Sequence, residues 1–158
     1  NVKRMNVRSA LEMHQAVQQT VSDASIFIAA AAVADWRPAS SAEQKIKKDG
    51  SGETPSLNFV ENPDILASVA QSARAQKGEL FCVGFAAESH DLLAHSTAKR
   101  ARKGVPLLVG NIGPSTFGQD DNALLLVDAQ GAKELPRDTK IRLAYQLIQD
   151  IASRLSKH

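Results

Sequence analysis

Cysteine is nearly absent: Cys82 is alone among 158 residues. It cannot close an internal disulfide, and a reducing cytoplasm is compatible with that without being required by it. His14, His90, His95 and His158 show no zinc-type spacing with one another or with Cys82. Long apolar runs are also missing. The longest, Ile26 to Ala34, has nine residues, whereas a bilayer span needs about 20. The opening Asn-Val-Lys-Arg-Met-Asn-Val carries no signal-peptide core. Neither sign of charge dominates, since the net charge is +2. Aromatics are only 4% of residues. Both facts weigh against a nucleic-acid binder built on Lys99, Arg100, Arg102 and Lys103. There is no Walker loop, no Gly-x-Gly-x-x-Gly turn and no Gly-x-Ser-x-Gly elbow.

What is present fits one soluble α/β domain over residues 1–158, expected in the cytoplasm. Hydrophobic residues make up 43% and charged residues 23%, ordinary globular values. Val2 to Val7 reads as a short strand. Ser9 and Glu12 form a capping box for a helix running to about Thr20. Ile26 to Val33 is apolar throughout, as in a strand covered on both faces. Residues 35–54 form a long polar loop, and Leu57 to Val60 a short strand. Asn62-Pro63 reads as N-cap and first helical residue of a helix reaching about Ala75. A buried strand follows at Leu80 to Phe85, then a helix from about Asp91 to Lys103 that stops at Gly104. Pro106 to Gly110 and Ala123 to Val127 are further strands, separated by a loop over 111–121. Gln130-Gly131 is a turn, and a last helix runs from about Asp138 to Leu155 with Ile141, Ala144, Ile148, Ile151 and Leu155 on one face. Repeated β–α–β units imply a mostly parallel sheet with helices on both sides.

Polar groups at the carboxyl end of a strand in such a sheet are well placed to meet a ligand. Asp35 sits there, either capping a turn or contacting a ribose hydroxyl or second substrate. Trp36 is either core or lid. Lys45, Lys47 and Lys48 are either a solvated charge run or a loop closing on phosphates. Asn62 to Leu66 is a helix start whose backbone donors, at Asp64, Ile65 and Leu66, could also bind ligand atoms. Phe85 ends a strand as core or as packing for a nucleobase, with Gly84 permitting close approach. Lys99 and Lys103 share a helix face, complementing the macrodipole or clamping a triphosphate.

The order and spacing of these pieces resemble phosphopantothenate–cysteine ligase over nearly the whole chain. The matching segments are Ala31 to Pro38, Lys45 to Lys48, Asn62 to Leu66, Gly84 to Glu88, the Lys99/Lys103 pair, and Val109 to Asn111. The resemblance implies a three-layer Rossmann-like domain, here without its first β–α unit, because family members carry an N-terminal segment ahead of residue 1. It implies a ligase of coenzyme A biosynthesis. CTP activates the carboxylate of 4′-phosphopantothenate as an acyl-cytidylate, releasing pyrophosphate, and the cysteine amine then displaces CMP. Magnesium accompanies the nucleotide, FMN belongs only to an upstream decarboxylase where one is fused, and a homodimer is expected. Carried over residue by residue, Asp35, Lys45, Pro63, Asp64, Ile65, Leu66, Phe85, Lys99 and Lys103 are implied nucleotide contacts, with Lys45 also supporting turnover. Trp36 replaces a common tyrosine, and Gly110 stands where many members have alanine. A noncatalytic nucleotide-binding or interaction fragment is the competing reading.

Overall fold

The computed structural model describes residues 2–40, 56–112 and 118–156. A five-stranded sheet organises the chain, in the order β1-β4-β5-β6-β7. Strands β1 (Ile26–Ala29), β4 (Phe81–Glu88) and β5 (Leu107–Ile112) run parallel. Strands β6 (Asp121–Val127) and β7 (Ala132–Thr139) extend the sheet antiparallel. A separate ribbon pairs β2 (Trp36–Pro38) with β3 (Phe59–Glu61). The helices are α1 (Ala10–Thr20), α2 (Ile65–Ala70), α3 (Ala73–Gln76), α4 (Leu92–Lys103) and α5 (Lys140–Leu155).

Alternation along β4 and β5 divides the core into two layers. Val83, Leu107 and Val109 pack with Leu143, Leu147 and Ile151 of α5. Cys82, Ala86 and Leu108 pack on the other side with Val69, Ala70 and Leu80, joined by half-buried Val17 of α1 and Leu66 of α2. The expected parallel core with helices on both sides is therefore present.

α1 starts where its capping signals place it. Ser9 Oγ accepts from Glu12 N at 3.2 Å, and Glu12 reaches back to accept from Arg8 N at 2.7 Å. Elsewhere the fold departs from the sequence reading. Val2 to Val7 is not a strand, because among the described residues no neighbouring strand pairs with it, and extended backbone needs a ladder partner. β1 ends at Ala29 rather than Val33 and is not covered on both faces. Ile26 and Ile28 are 39% and 37% exposed on the α5 side, at the edge of the sheet. The helix expected from Asn62 to Ala75 begins instead with Asp64 as N-cap and breaks into α2 and α3, because Ser72 Oγ caps a new start by accepting from Ala75 N at 3.3 Å. β7 takes the place of an expected connection.

The buried stripe of α5 is Leu143, Leu147 and Ile151, while Ile141 and Ile148 are exposed. At about 100° per residue, these positions with Tyr145 form one broad apolar arc. The sheet covers only one flank of it.

Gly110 carries a packing constraint. A Cβ there would lie 2.5 Å from Ser96 Oγ and 2.9 Å from Leu92 Cδ1. Ser96 is fully buried, and its hydroxyl has no hydrogen-bond partner. Gly110→Ala alone should cost about 1–3 kcal/mol by overpacking. Ser96→Ala, which removes an unsatisfied hydroxyl, should be neutral or stabilising. The double variant should recover most of the loss in urea denaturation. Simple additivity would sink this steric account.

Candidate functional site

The parallel strands deliver their carboxyl ends to one rim, and polar side chains gather there. The chain leaves β1, passes Asp35 and enters the β2–β3 ribbon. Asn62 ties this ribbon to the rim. Its backbone N–H donates to Asp35 O at 2.7 Å, and its Nδ2 donates to Ala34 O at 2.9 Å. Arg37 Nη1 donates to Glu61 O at 2.6 Å and to Asn62 Oδ1 at 3.2 Å. Asn62 is therefore a staple between two chain segments rather than the helix cap that Asn-Pro implied. Trp36 is 62% exposed, which excludes a core role.

Pro63 leads directly into the start of α2. Asp64 Oδ1 accepts from Ala67 N at 3.0 Å, and its other carboxylate oxygen receives Lys103 Nζ in an ion pair. Burial pushes the Asp64 pKa up, but the Lys103 ammonium, the Ala67 N–H and nearby Arg102 outweigh it and hold the carboxyl below its usual range. Ile65 is buried, and Leu66 lies over Gly84, where a Cβ would come within 2.6 Å of Leu66 Cδ2. A glycine at this point of β4 lets the first turn of α2 sit directly on the strand.

One turn before Lys103 on α4, Lys99 Nζ donates to Glu88 Oε1 at 3.5 Å. Both lysine side chains are half-buried, so their ammonium groups are held against the rim rather than dispersed in solvent. α4 ends at Gly104 in the left-handed conformation, which fixes Lys103 in its last turn.

Asp35 is thus linked through Asn62 to the segment Pro63, Asp64, Ile65 and Leu66, and Asp64 to Lys103, with Lys99 one helical turn away and paired with Glu88. Phe85 is placed differently. Its ring joins the α5-side cluster, whereas Gly84 and Ala86 on either side of it face α2 and α4. Lys45, Lys47 and Lys48 lie outside the described residues. Two cavities among the described residues are lined by none of these site residues. A groove of about 470 Å³ is lined by Leu92, Ile112, Leu125, Glu134 and Arg137. A second, of about 570 Å³, runs beside Phe81, Asp128 and Arg154. Among the described residues the rim is lined by charged side chains, as suits a polyanion more than an apolar ligand. Cys82 offers no nucleophile: burial raises its thiol to about 11. The residues that sequence reasoning missed are Asn62 and Arg37 as staples and Glu88 as the anchor of Lys99. No periodicity marks them, because their partners are distant in sequence.

Comparison with known proteins agrees with this architecture. The family model for the DNA/pantothenate metabolism flavoprotein C-terminal domain matches residues 1–155. The coenzyme A biosynthesis bifunctional protein CoaBC of Vibrio vulnificus (strain YJ016) is 42% identical over 154 residues, covering 96% of this chain and 38% of that protein. Its Escherichia coli (strain K12) counterpart is 40% identical over 157 residues, covering 97% of this chain and 38% of that protein. This chain therefore spans well under half the length of these relatives. The crystal structure of the C-terminal domain of a CoaBC protein superposes with a TM-score of 0.73 at 25% identity, covering 96% of this chain and 65% of that one. A Cab2 mutant in complex with phosphopantothenate-cysteine superposes with a TM-score of 0.62 at 22% identity, covering 84% of this chain and 44% of that one.

Proposed function

Because the chain belongs to the family of the DNA/pantothenate metabolism flavoprotein C-terminal domain, we propose that it carries the nucleotide-binding side of a phosphopantothenate–cysteine ligase. The observation that carries the proposal is the junction at the rim, where Asn62 binds to the Asp35 backbone and Lys103 meets Asp64 at the start of α2, one helical turn from Lys99.

In this reading Lys99 and Lys103 neutralise the triphosphate of CTP as point charges. The Asp35 carboxylate and the backbone of residues 63–66 orient the nucleoside. Lys45 offsets charge on the α-phosphate as the carboxylate of 4′-phosphopantothenate attacks it, which gives acyl-cytidylate and pyrophosphate. The cysteine amine then attacks the acyl carbon, forming the amide and releasing CMP. Phe85 contributes through its place at the strand end, with its ring braced by the core.

Magnesium is generally held by one or two carboxylates together with substrate phosphates. Glu88 is a carboxylate at this rim, paired with Lys99. The site fits an ion that arrives with the nucleotide, where it would offset phosphate charge. The FMN of a fused decarboxylase would lie in another domain. A homodimer is part of the same reading, as is a cytoplasmic setting. No helix among the described residues is long and apolar enough to cross a membrane.

The test uses the complete polypeptide that contains this span. Pyrophosphate release should require CTP, 4′-phosphopantothenate and cysteine together. Lys45→Gln should lower amide formation about 100-fold while changing CTP affinity by no more than about threefold. CTP binding without pyrophosphate release would instead establish the noncatalytic reading. Unchanged turnover in Lys45→Gln would remove that residue from the chemistry.

A further inference from the structure

His90, Asp91 and His95 meet on the surface where β4 turns into α4. Each offers a ligand atom, and these atoms all lie within 4.8 Å of one another. The rings of His90 and His95 stand edge to face, with centroids 5.0 Å apart. Nothing in their sequence spacing matches a zinc signature; the turn brings them together.

Two features set this group apart from a chance gathering of polar residues. Asp91 occupies the N-cap position of α4, where an aspartate ordinarily accepts from the helix backbone, yet it makes no side-chain cap bond. It is the only non-glycine among the described residues at positive φ, at 45°. Its carboxylate stands with the two imidazoles instead. One imidazole also has an outer partner: Ser89 Oγ is 2.8 Å from His90 Nδ1, while the Glu88 carboxylate stands near His95, 3.7 Å from its Nδ1 and beyond hydrogen-bond reach. A carboxylate or hydroxyl behind one ring nitrogen fixes a metal-binding histidine and leaves its other nitrogen to the ion.

We propose that His90, Asp91 and His95 form a binding site for a first-row divalent transition-metal ion, of which Zn²⁺ is the representative probe. Two imidazoles and one carboxylate select such an ion over magnesium, which prefers an all-oxygen shell. Zinc bonds of about 2.0–2.2 Å place ligand atoms closer together than they now stand. All three residues are exposed, so modest side-chain rotation closes the gap without moving the core. Three protein ligands leave a position for water or an exogenous donor. This ion is distinct from any magnesium that arrives with a nucleotide.

The experiment is Zn²⁺ titration by calorimetry on the untagged protein, repeated with Co²⁺ while recording visible absorption. One equivalent should bind per chain, and Co²⁺ should show the bands of a low-coordinate nitrogen/oxygen site. His90→Ala, His95→Ala and Asp91→Asn should each weaken binding at least about tenfold. His14→Ala, on α1, should leave it unchanged. Circular dichroism and thermal melts without metal confirm that each surface variant is folded. Absence of stoichiometric binding, or binding that survives the His90→Ala/His95→Ala double variant, would overturn the proposal.

Discussion

Replacing Arg154 with methionine should destabilise the protein by about 2–3 kcal/mol at pH 7, read from urea denaturation. Arg154 binds two carboxylates at once. Its Nη1 donates to Asp128 Oδ2 at 2.6 Å and its Nε to Asp150 Oδ2 at 2.5 Å, while Lys133 Nζ donates to Asp150 Oδ1 at 2.9 Å. The cluster joins the end of α5 to the β6–β7 turn, where Asp128 also accepts from the backbone of Gln130 and Gly131. Methionine keeps the aliphatic stem but leaves two carboxylates facing each other, one of them with a side chain only 8% exposed.

The same cluster predicts a pH dependence. The Arg154 hydrogen bond, aided by the turn N–H groups, holds Asp128 below the usual carboxylate range against a smaller opposing effect of burial. Burial raises Asp150, but Lys133 and Arg154 together outweigh it and lower its pKa. Both groups are depressed on folding, so their contribution is complete above the unfolded value of about 3.9 and is lost as pH falls through the lower folded values. The Arg154→Met penalty should therefore shrink below about pH 4. A penalty constant from pH 7 to pH 3 would mean that packing, and not charge, is responsible.

The second large effect concerns the rim. Lys103 is already paired with Asp64, so a triphosphate must share or displace that carboxylate. Lys103→Gln should weaken CTP binding tenfold or more, about 1.4 kcal/mol or greater. Asp64→Asn should act in the opposite direction. Asparagine caps a helix about as well as aspartate, so α2 keeps its start. The lysine is freed and a negative charge leaves the phosphate region, so CTP binding should tighten severalfold. Titration calorimetry on the complete polypeptide distinguishes the cases. If Asp64→Asn weakens binding as much as Lys103→Gln does, the pair works as one structural unit and the competition is absent.

Local signals that agree with tertiary packing were legible from the residues. α4 and β5 follow from a glycine stop and an apolar run, and α1 from its capping box. β7 was hidden because only Leu135 within it is buried, while Lys133, Glu134, Pro136 and Arg137 read as a connection. It is a strand because β6 pairs with it, opposing Leu124 to Leu135, and an edge strand tolerates proline. Val2 to Val7 failed for the converse reason: a favourable pattern with no neighbour. On α5 the apolar arc is wider than the sheet can cover, so periodicity could not choose which flank is buried. At the rim, the residue types were visible individually. The Asp64–Lys103 pairing spans 39 positions, and only family resemblance drew its members together beforehand.

The bare flank of β1 bears on handling. Among the described residues its backbone pairs only with β4, Ile26 and Ile28 are exposed, and α5 separately shows Ile141, Tyr145 and Ile148 to solvent. An edge strand bordered by exposed aliphatic side chains is adhesive. Purified as these 158 residues alone, the polypeptide should stick to itself more strongly as it is concentrated. Dilute samples are therefore the right starting point for any titration on these residues alone.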